Sequence, residues 1–327
     1  MKKNIVITSI FPPTIAVNAF SELKNYKTIV IGDKKSPELY TNSNVDFFSI
    51  NDQLKLGYSI TGQLPFNHYS RKNIGYINAI KNKAELIIDT DDDNIPYDDW
   101  SFPEFCNNYE LTEKDKGFIN IYELFCDKKI WPRGYPLNLI NRRDTLNQNT
   151  RFETKGCKVG VWQGLADDDP DVDALYRLTN DEACFFDKRN PVVLDTGTIC
   201  PFNSQNTAFT KAMFPLLYMP SLVEFRYTDI LRGLIAQPIM WLYDYKLGFT
   251  KPTVIQKRNP HNYMKDFQSE IPMYLTGPKI HELISNKINP KFSIGDNLFI
   301  AYEVLVGEKI AEKKELDIVK CWLDDIA

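Results

Sequence analysis

In RKNIGYINAIKNKAELIIDTDDDN, residues 71–94, Ile74, Ile77 and Ile80 recur at three-residue spacing. That spacing predicts a helix over residues 73–81 that lays one face on a sheet, and the apolar run that follows predicts a strand over 85–89. The strand stops at a row of carboxylates. In open α/β sheets, ligands bind outside the carboxyl ends of strands, so Asp91, Asp92 and Asp93 stand where chemistry is expected. Carboxylates there offer hard oxygen ligands to Mg²⁺ or Mn²⁺, ions that commonly bind one or two acids plus substrate phosphates. Arg71, Lys72 and Asn73 begin the helix, where cations and free backbone N–H groups suit an anionic nucleotide. The bland alternative for the acidic row is a solvated turn.

Working outward, residues 5–9 and 28–31 read as further strands with a helix near 19–24 between them. This βαβ alternation feeds a mainly parallel sheet. Thr8, Ser9 and Asp33 end the first two strands and are expected to face a nucleobase. Strands are also predicted over 117–122 and 158–162, and a helix over 229–237 ahead of the apolar run 238–243. Beyond about residue 250 the chain becomes more basic and more helical, with Leu316, Val319, Leu323 and Ile326 forming an apolar face. We therefore expect two units: a nucleotide-binding catalytic domain over 1–250 and a mostly helical extension over 251–327 that completes the site.

Composition excludes several classes. With 43% hydrophobic and 25% charged residues the chain is an ordinary globular protein, not a disordered or fibrous one. Its net charge of −4 provides no basic field for nucleic acid. Six cysteines without a CxxC pair suggest neither a zinc knuckle nor a disulfide framework. The N-terminus, MKKNIVITSIFPPTIAVNAF, imitates a secretory signal, but Pro12 and Pro13 interrupt its apolar run, and no later segment reaches the roughly 20 apolar residues of a membrane span. The expectation is a cytoplasmic protein without a membrane span, with an aromatic content that leaves room for a homo-oligomer interface.

A second acidic window holds Asp167, Asp168, Asp169, Asp171 and Asp173. Asp169, Asp171 and Asp173 surround Pro170 and are candidates to bind acceptor hydroxyls, Asp171 also to take a proton from one; a solvated or helix-capping loop is the alternative. Of three histidines, His68 and His281 read as surface or packing residues.

The 71–94 stretch resembles the donor-binding half of GT-A glycosyltransferases, and further blocks sharpen the likeness: WPRGYPL (131–137), QGLADDDPDVDALYRLT (163–179), FNSQNTAF (202–209) and FRYTDILRG (225–233). Together, over residues 1–265 and in the same order, they resemble the STELLO family of glycosyltransferases and, more distantly, reversibly glycosylated polypeptides, which are UDP-arabinopyranose mutases. The resemblance implies a GT-A-like, Rossmann-like α/β fold and a metal-dependent transfer of sugar from a nucleotide sugar, UDP-linked, to a glycan acceptor in surface polysaccharide synthesis. A nucleotide-sugar mutase and a non-catalytic scaffold of a polysaccharide synthase are the alternatives. No counterpart of the STELLO membrane anchor is read here, so a Golgi location is not expected.

By the same resemblance, Asp91 and Asp93 match the ends of a DxD-type metal motif, with Asp92 sharing the diphosphate, and His261 falls where a C-terminal metal ligand stands. Lys257 and Arg258 are placed to neutralise diphosphate. Arg133 matches the arginine glycosylated in the mutases, or it stabilises the departing diphosphate, or it forms a structural ion pair. Arg142 and Arg143 lie nearby but off the spacing of the mutases' second arginine. Asp229 matches the base of inverting enzymes, with an N-cap as its alternative. Asn206 matches a donor-sugar contact, or holds a loop.

Overall fold

The N-terminal strands carry short continuous apolar runs, Ile5–Ile7, Ile29–Ile31 and Leu86–Ile88, as strands covered on both faces do. Lys3–Thr8, Tyr26–Ile31, Val45–Phe48 and Leu86–Thr90 run parallel in a computed structural model that describes residues 1–142, 152–180, 182–259 and 261–327. Side chains alternate between two cores: Val6, Ile29 and Ile31 pack with Ile74 and Ile77 on one face, while Ile5, Ile7 and Val30 pack with Val17 and Phe20 on the other. The helix Lys72–Lys81 lies very close to the sheet. A Cβ on Gly75 would sit 2.5 Å from Val6 Cγ1 and 2.9 Å from Ile31 Cγ1, so only glycine admits this approach.

Past Leu86–Thr90 the sheet turns mixed. Asn206–Thr210 is antiparallel to it and to the long strand Glu153–Asp168, which in turn runs parallel to Tyr245–Gln256; Asn94–Pro96 lies antiparallel on that last strand. Ten strands form this α/β sheet among the described residues, with helices packed against it. The pairing gathers Thr90, Asn94, Asp168, Asn206 and Gln256 along one edge of the sheet: Asn206 is opposite Thr90, and Gln256 is opposite both Asn94 and Asp168. The sheet continues to Gln256, and the helices Tyr263–Thr276, Ile280–Ser285, Ile294–Gly307 and Lys314–Ile326 follow. Among the described residues no helix is long and apolar enough to cross a membrane.

Several elements differ from the sequence expectation for identifiable reasons. The first helix is Ile15–Ser21 rather than 19–24, because Thr14 caps it by accepting from Val17 N. The strand expected over 117–122 ends at Phe118, since Asn120 caps a 3-10 turn, Ile121–Leu124. The strand expected over 158–162 is the 16-residue Glu153–Asp168. The helix Thr228–Leu242 continues through Pro238, which lies in a helix buried on nearly every side. In Lys314–Ile326 the deepest face is Glu315, Ile318, Val319 and Trp322, not the one centred on Leu323. Glu315 is admitted because its carboxylate accepts from Tyr218 Oη at 2.6 Å and from the Ser221 and Leu222 amides at 2.8 Å. Arg143 lies outside the described residues.

Candidate active site

Eleven aspartates in two short windows, six of them between Asp89 and Asp99 and five between Asp167 and Asp173, repel one another unless they find partners, and the fold separates most of them accordingly. In the first window, Asp89 turns inward at the end of Leu86–Thr90, fully buried, and is paired with Lys72 at 2.8 Å and Arg232 at 2.7 Å. Asp99 turns outward to Lys251. Asp91, Asp92 and Asp93 remain at the wall of a cavity of about 370 Å³. In the second window, Asp167 takes Tyr97 Oη and Phe186 N, Asp168 takes Lys257, Asp169 takes Arg177 and Arg258, Asp171 takes Arg133, and Asp173 caps a helix.

Within the cavity, Asp91 accepts from Lys72 Nζ at 2.9 Å and Tyr69 Oη at 3.3 Å. Its carboxyl is nonetheless pushed up to about 6, because burial and the neighbouring acids outweigh Lys72. Burial also raises Asp92, against the Ser9 hydroxyl bonded to it, and raises Asp93, against a 3.1 Å bond from Gln256 Nε2. The other oxygen of Asp93, Oδ1, is buried with no hydrogen-bond partner. His261 stands at the same cavity with Nδ1 on Asp266 at 2.9 Å, a contact that orients the ring.

Across the cavity Arg133 is sandwiched between Asp171 and Asp229. Its Nε and Nη2 grip Asp171 at 2.8–3.1 Å, and Nη1 and Nη2 grip Asp229 at 2.9 and 2.8 Å, with the Arg226 carbonyl taking Nη1 as well. Burial alone would raise Asp229, yet Arg133 holds its carboxyl down to about 2. The N-cap of Thr228–Leu242 is Tyr227, so Asp229 does not cap that helix. An arginine whose three nitrogens are all engaged is an ion-pair hub, and a carboxylate held near 2 is a weak base.

Thr8, Ser9, Asp33, Arg71 and Asp92 line an adjoining cavity of about 250 Å³, which also receives His68, Tyr69 and Phe225. Arg71 spends its guanidinium on Gln53 and the Leu64 carbonyl and stacks on Phe66. A third cavity of about 380 Å³ holds Asp168, Asp169, Lys257 and Arg258 and shares Gln256 and Arg258 with the one lined by Asp91, Asp92 and Asp93.

Four residues expected to touch substrate stand elsewhere. Lys72 is wholly buried, its three protons directed to Asp89, the Thr90 carbonyl and Asp91. Asn73 exchanges two 2.8 Å bonds with the Met219 backbone. Asn206 is buried between Trp100 Nε1 and Thr253 Oγ1. Asp173 accepts from Tyr176 N and Trp131 Nε1 as the cap of Ala174–Thr179, and burial pushes its carboxyl up to about 7. A folded pKa above the unfolded value stabilises most below about pH 4, and that contribution fades as pH rises through about 7. We expect urea denaturation to show the stability advantage of wild type over Asp173→Asn shrinking between pH 5 and pH 8. A pH-independent difference refutes this.

Asn203, Gln205, Arg226, Gln256 and Asn259 line the cavity of Asp91, Asp92 and Asp93 without having been singled out from the sequence. Asn203 and Gln205 lie inside the FNSQNTAF block, three residues and one residue before Asn206, in the segment that leads into the strand Asn206–Thr210, where no periodic pattern singles them out.

Comparison with known proteins bears on what this arrangement is. A model of the STELLO glycosyltransferases matches residues 226–327, which hold Arg226, Asp229, Arg258 and His261. Over 99% of its length the chain is 25% identical to probable glycosyltransferase STELLO1 and 24% identical to probable glycosyltransferase STELLO2, both of Arabidopsis thaliana. The chain resembles the STELLO family. This STELLO-like chain spans 44% of the length of each of those relatives. The similarity therefore covers the acidic row at 91–93 as well as the C-terminal region matched by the family model.

Proposed function

We propose that the chain is a GT-A-like, metal-dependent glycosyltransferase that takes a sugar from a UDP-sugar and gives it to a glycan hydroxyl. The observation that supports this best is the charge of the cavity behind Asp91, Asp92 and Asp93. Five aspartates line it against three arginines, and Arg133 is already spent between two of the five. Asp91, Asp92 and Asp93 are left with their ionised forms disfavoured by burial and with the Asp93 Oδ1 unpartnered, an environment that asks for a cation.

Among the described residues, no group of three or more His, Cys, Asp and Glu side chains could hold a metal by itself. Mg²⁺ and Mn²⁺ need no such cage, since one or two carboxylates plus substrate phosphates suffice, and the residues present fit that arrangement. Asp93 with Asp91 would hold the ion, with His261 at the same cavity as a further ligand. The ion would supply charge neutralisation on the leaving diphosphate.

The chain's own residues then divide the work. The adjoining cavity, with Thr8, Ser9 and Asp33 at strand ends and Tyr69 and Phe225 beside them, holds the nucleoside. Arg258, bonded to Asp169 through Nε and facing the cavity of Asp91, Asp92 and Asp93, is our candidate cation for the diphosphate. Lys257 supports it from Asp168. Asp171 and Asp229 fix Arg133 as a rigid wall for sugar and acceptor. Proton removal from the acceptor by Asp229 or Asp171 requires loosening an Arg133 contact. Glycosylation of Arg133, the mutase route, is disfavoured because no nitrogen of that side chain is unengaged.

Calorimetric titration with UDP tests the reading. Binding is expected with Mn²⁺ present and lost when the ion is chelated; equal binding in both conditions, or none in either, refutes it. Incubating the UDP-sugar without acceptor separates transferase from mutase, since only a mutase converts its donor to an isomer unaided.

A further inference from the structure

Two thiols beside the third cavity have no part in the reaction described. Cys126 follows the 3-10 turn Ile121–Leu124, and Cys184 lies in the segment that bridges to Asp168. They are 58 positions apart in sequence, yet their sulfurs are 3.8 Å apart, with the Cys184 thiol donating to Cys126 Sγ. Both are free. The backbones carrying them are already fastened together: Asp187 N donates to the Phe125 carbonyl at 2.6 Å, Lys128 Nζ donates to the Ala183 carbonyl at 2.7 Å, and the rings of Tyr122 and Phe186 lie 4.9 Å apart. Closing from 3.8 Å to the roughly 2.05 Å of a disulfide therefore asks for side-chain rotation within a fixed frame.

The pair is also connected to the site. Cys184 exchanges both backbone hydrogen bonds with Asp168, at 2.9 and 2.7 Å. Asp168 has a φ of 74°, a left-handed conformation that aspartate tolerates better than most residues, and its carboxylate holds Lys257 at 2.6 Å. The Lys257 amide in turn donates to the Asp93 carbonyl at 3.0 Å. Glu182 and Ala183, next to Cys184, line the third cavity with Asp168 and Lys257.

We propose that Cys126 and Cys184 form a reversible redox pair, closed to a disulfide by a disulfide oxidant such as oxidised glutathione, that fastens the wall of the third cavity. Cys126 is the partly exposed member and Cys184 the fully buried one, which assigns their order of reaction. The hydrogen bond from Cys184 lowers the Cys126 pKa, against a smaller opposing effect of burial, so Cys126 is the thiol that ionises. Its thiolate attacks one sulfur of oxidised glutathione, the oxidant's S–S bond breaks, and one glutathione thiolate leaves. Cys184 then loses its proton and attacks the Cys126 sulfur of the mixed disulfide, expelling the second glutathione. Two protein thiols are oxidised and one oxidised glutathione is reduced to two glutathiones. The inference is independent of the substrate assigned above.

The experiment is to treat the full chain with oxidised glutathione, block remaining thiols with an alkylating agent, and map the masses. The expected product has lost two hydrogens, retains no glutathione, yields a peptide cross-linking Cys126 to Cys184, and reverts with dithiothreitol. Amide exchange across residues 183–187 slows severalfold in the oxidised form. Cys184→Ser halts the reaction at a stable glutathione adduct on Cys126. A persistent adduct on the wild-type chain, a cross-link to other cysteines, or complete alkylation of both thiols after oxidation overturns the pairing. Unchanged exchange over 183–187 overturns the fastening of the cavity wall. The wild-type mass map decides the pairing without relying on any variant.

Discussion

Asp93→Asn is expected to weaken Mn²⁺-dependent UDP binding by about 100-fold or more, since substitutions one shell further from a metal already cost about 10–100-fold. The variant is a clean probe. Asparagine keeps the size of the side chain and can still accept the 3.1 Å bond from Gln256, so what it removes is the charge on a buried group whose Oδ1 has no protein partner. Burial disfavours the ionised form of Asp93, so removing that charge is not expected to reduce stability. Asp99→Asn is the matched control: it comes from the same acidic run, but its carboxylate faces solvent and Lys251. Calorimetry on both variants, with circular dichroism to confirm folding, is the measurement. Unchanged affinity in Asp93→Asn sinks the metal assignment, whereas loss in Asp99→Asn as well points to a general charge effect.

The contrast between Asp93 and Asp89 also marks how far the sequence can be read. The helix–strand–carboxylate order of residues 71–94 is legible because it depends on periodicity, and Lys72–Lys81 and Leu86–Thr90 lie within a residue of where the pattern puts them. Which aspartate faces the cavity depends on partners remote in sequence. Asp89 is turned inward by Arg232, 143 positions away, and once it is there Lys72 is drawn down to it and away from any nucleotide. Of the cavity's amide side chains, Gln256 is brought to it by strand register, and Asn203 and Gln205 by the segment that leads into Asn206–Thr210. No local pattern encodes that register. Arg133 was legible as a residue of interest from its RGYP context, but the choice among its roles required seeing Asp171, 38 residues on, and Asp229, 96 residues on, on either side of it.

That sandwich carries the largest stability effect we expect. Arg133→Ala leaves Asp171 and Asp229 facing each other, both nearly inaccessible to solvent, with their shared cation gone. Breaking a buried ion pair by removing one partner costs about 3–5 kcal/mol, a large part of the roughly 5–15 kcal/mol that holds a typical domain folded. The pH dependence distinguishes this from a simple cavity. In the wild type Asp229 is held at about 2, below its unfolded value, so its contribution is present above about pH 4 and is lost only as pH falls towards 2. Without Arg133, burial dominates and raises that carboxyl, so the folded variant binds protons that the wild type does not. The penalty should therefore be greatest at pH 7 and shrink by pH 4.5, measured by urea denaturation of both proteins. Arg133→Lys, which restores a charge but not the two-sided grip, should fall between them. A penalty under about 1 kcal/mol, well below the cost of an uncompensated buried charge, or one equal at the two pH values means that the carboxylates find other partners and that Arg133 is not what holds this wall of the cavity.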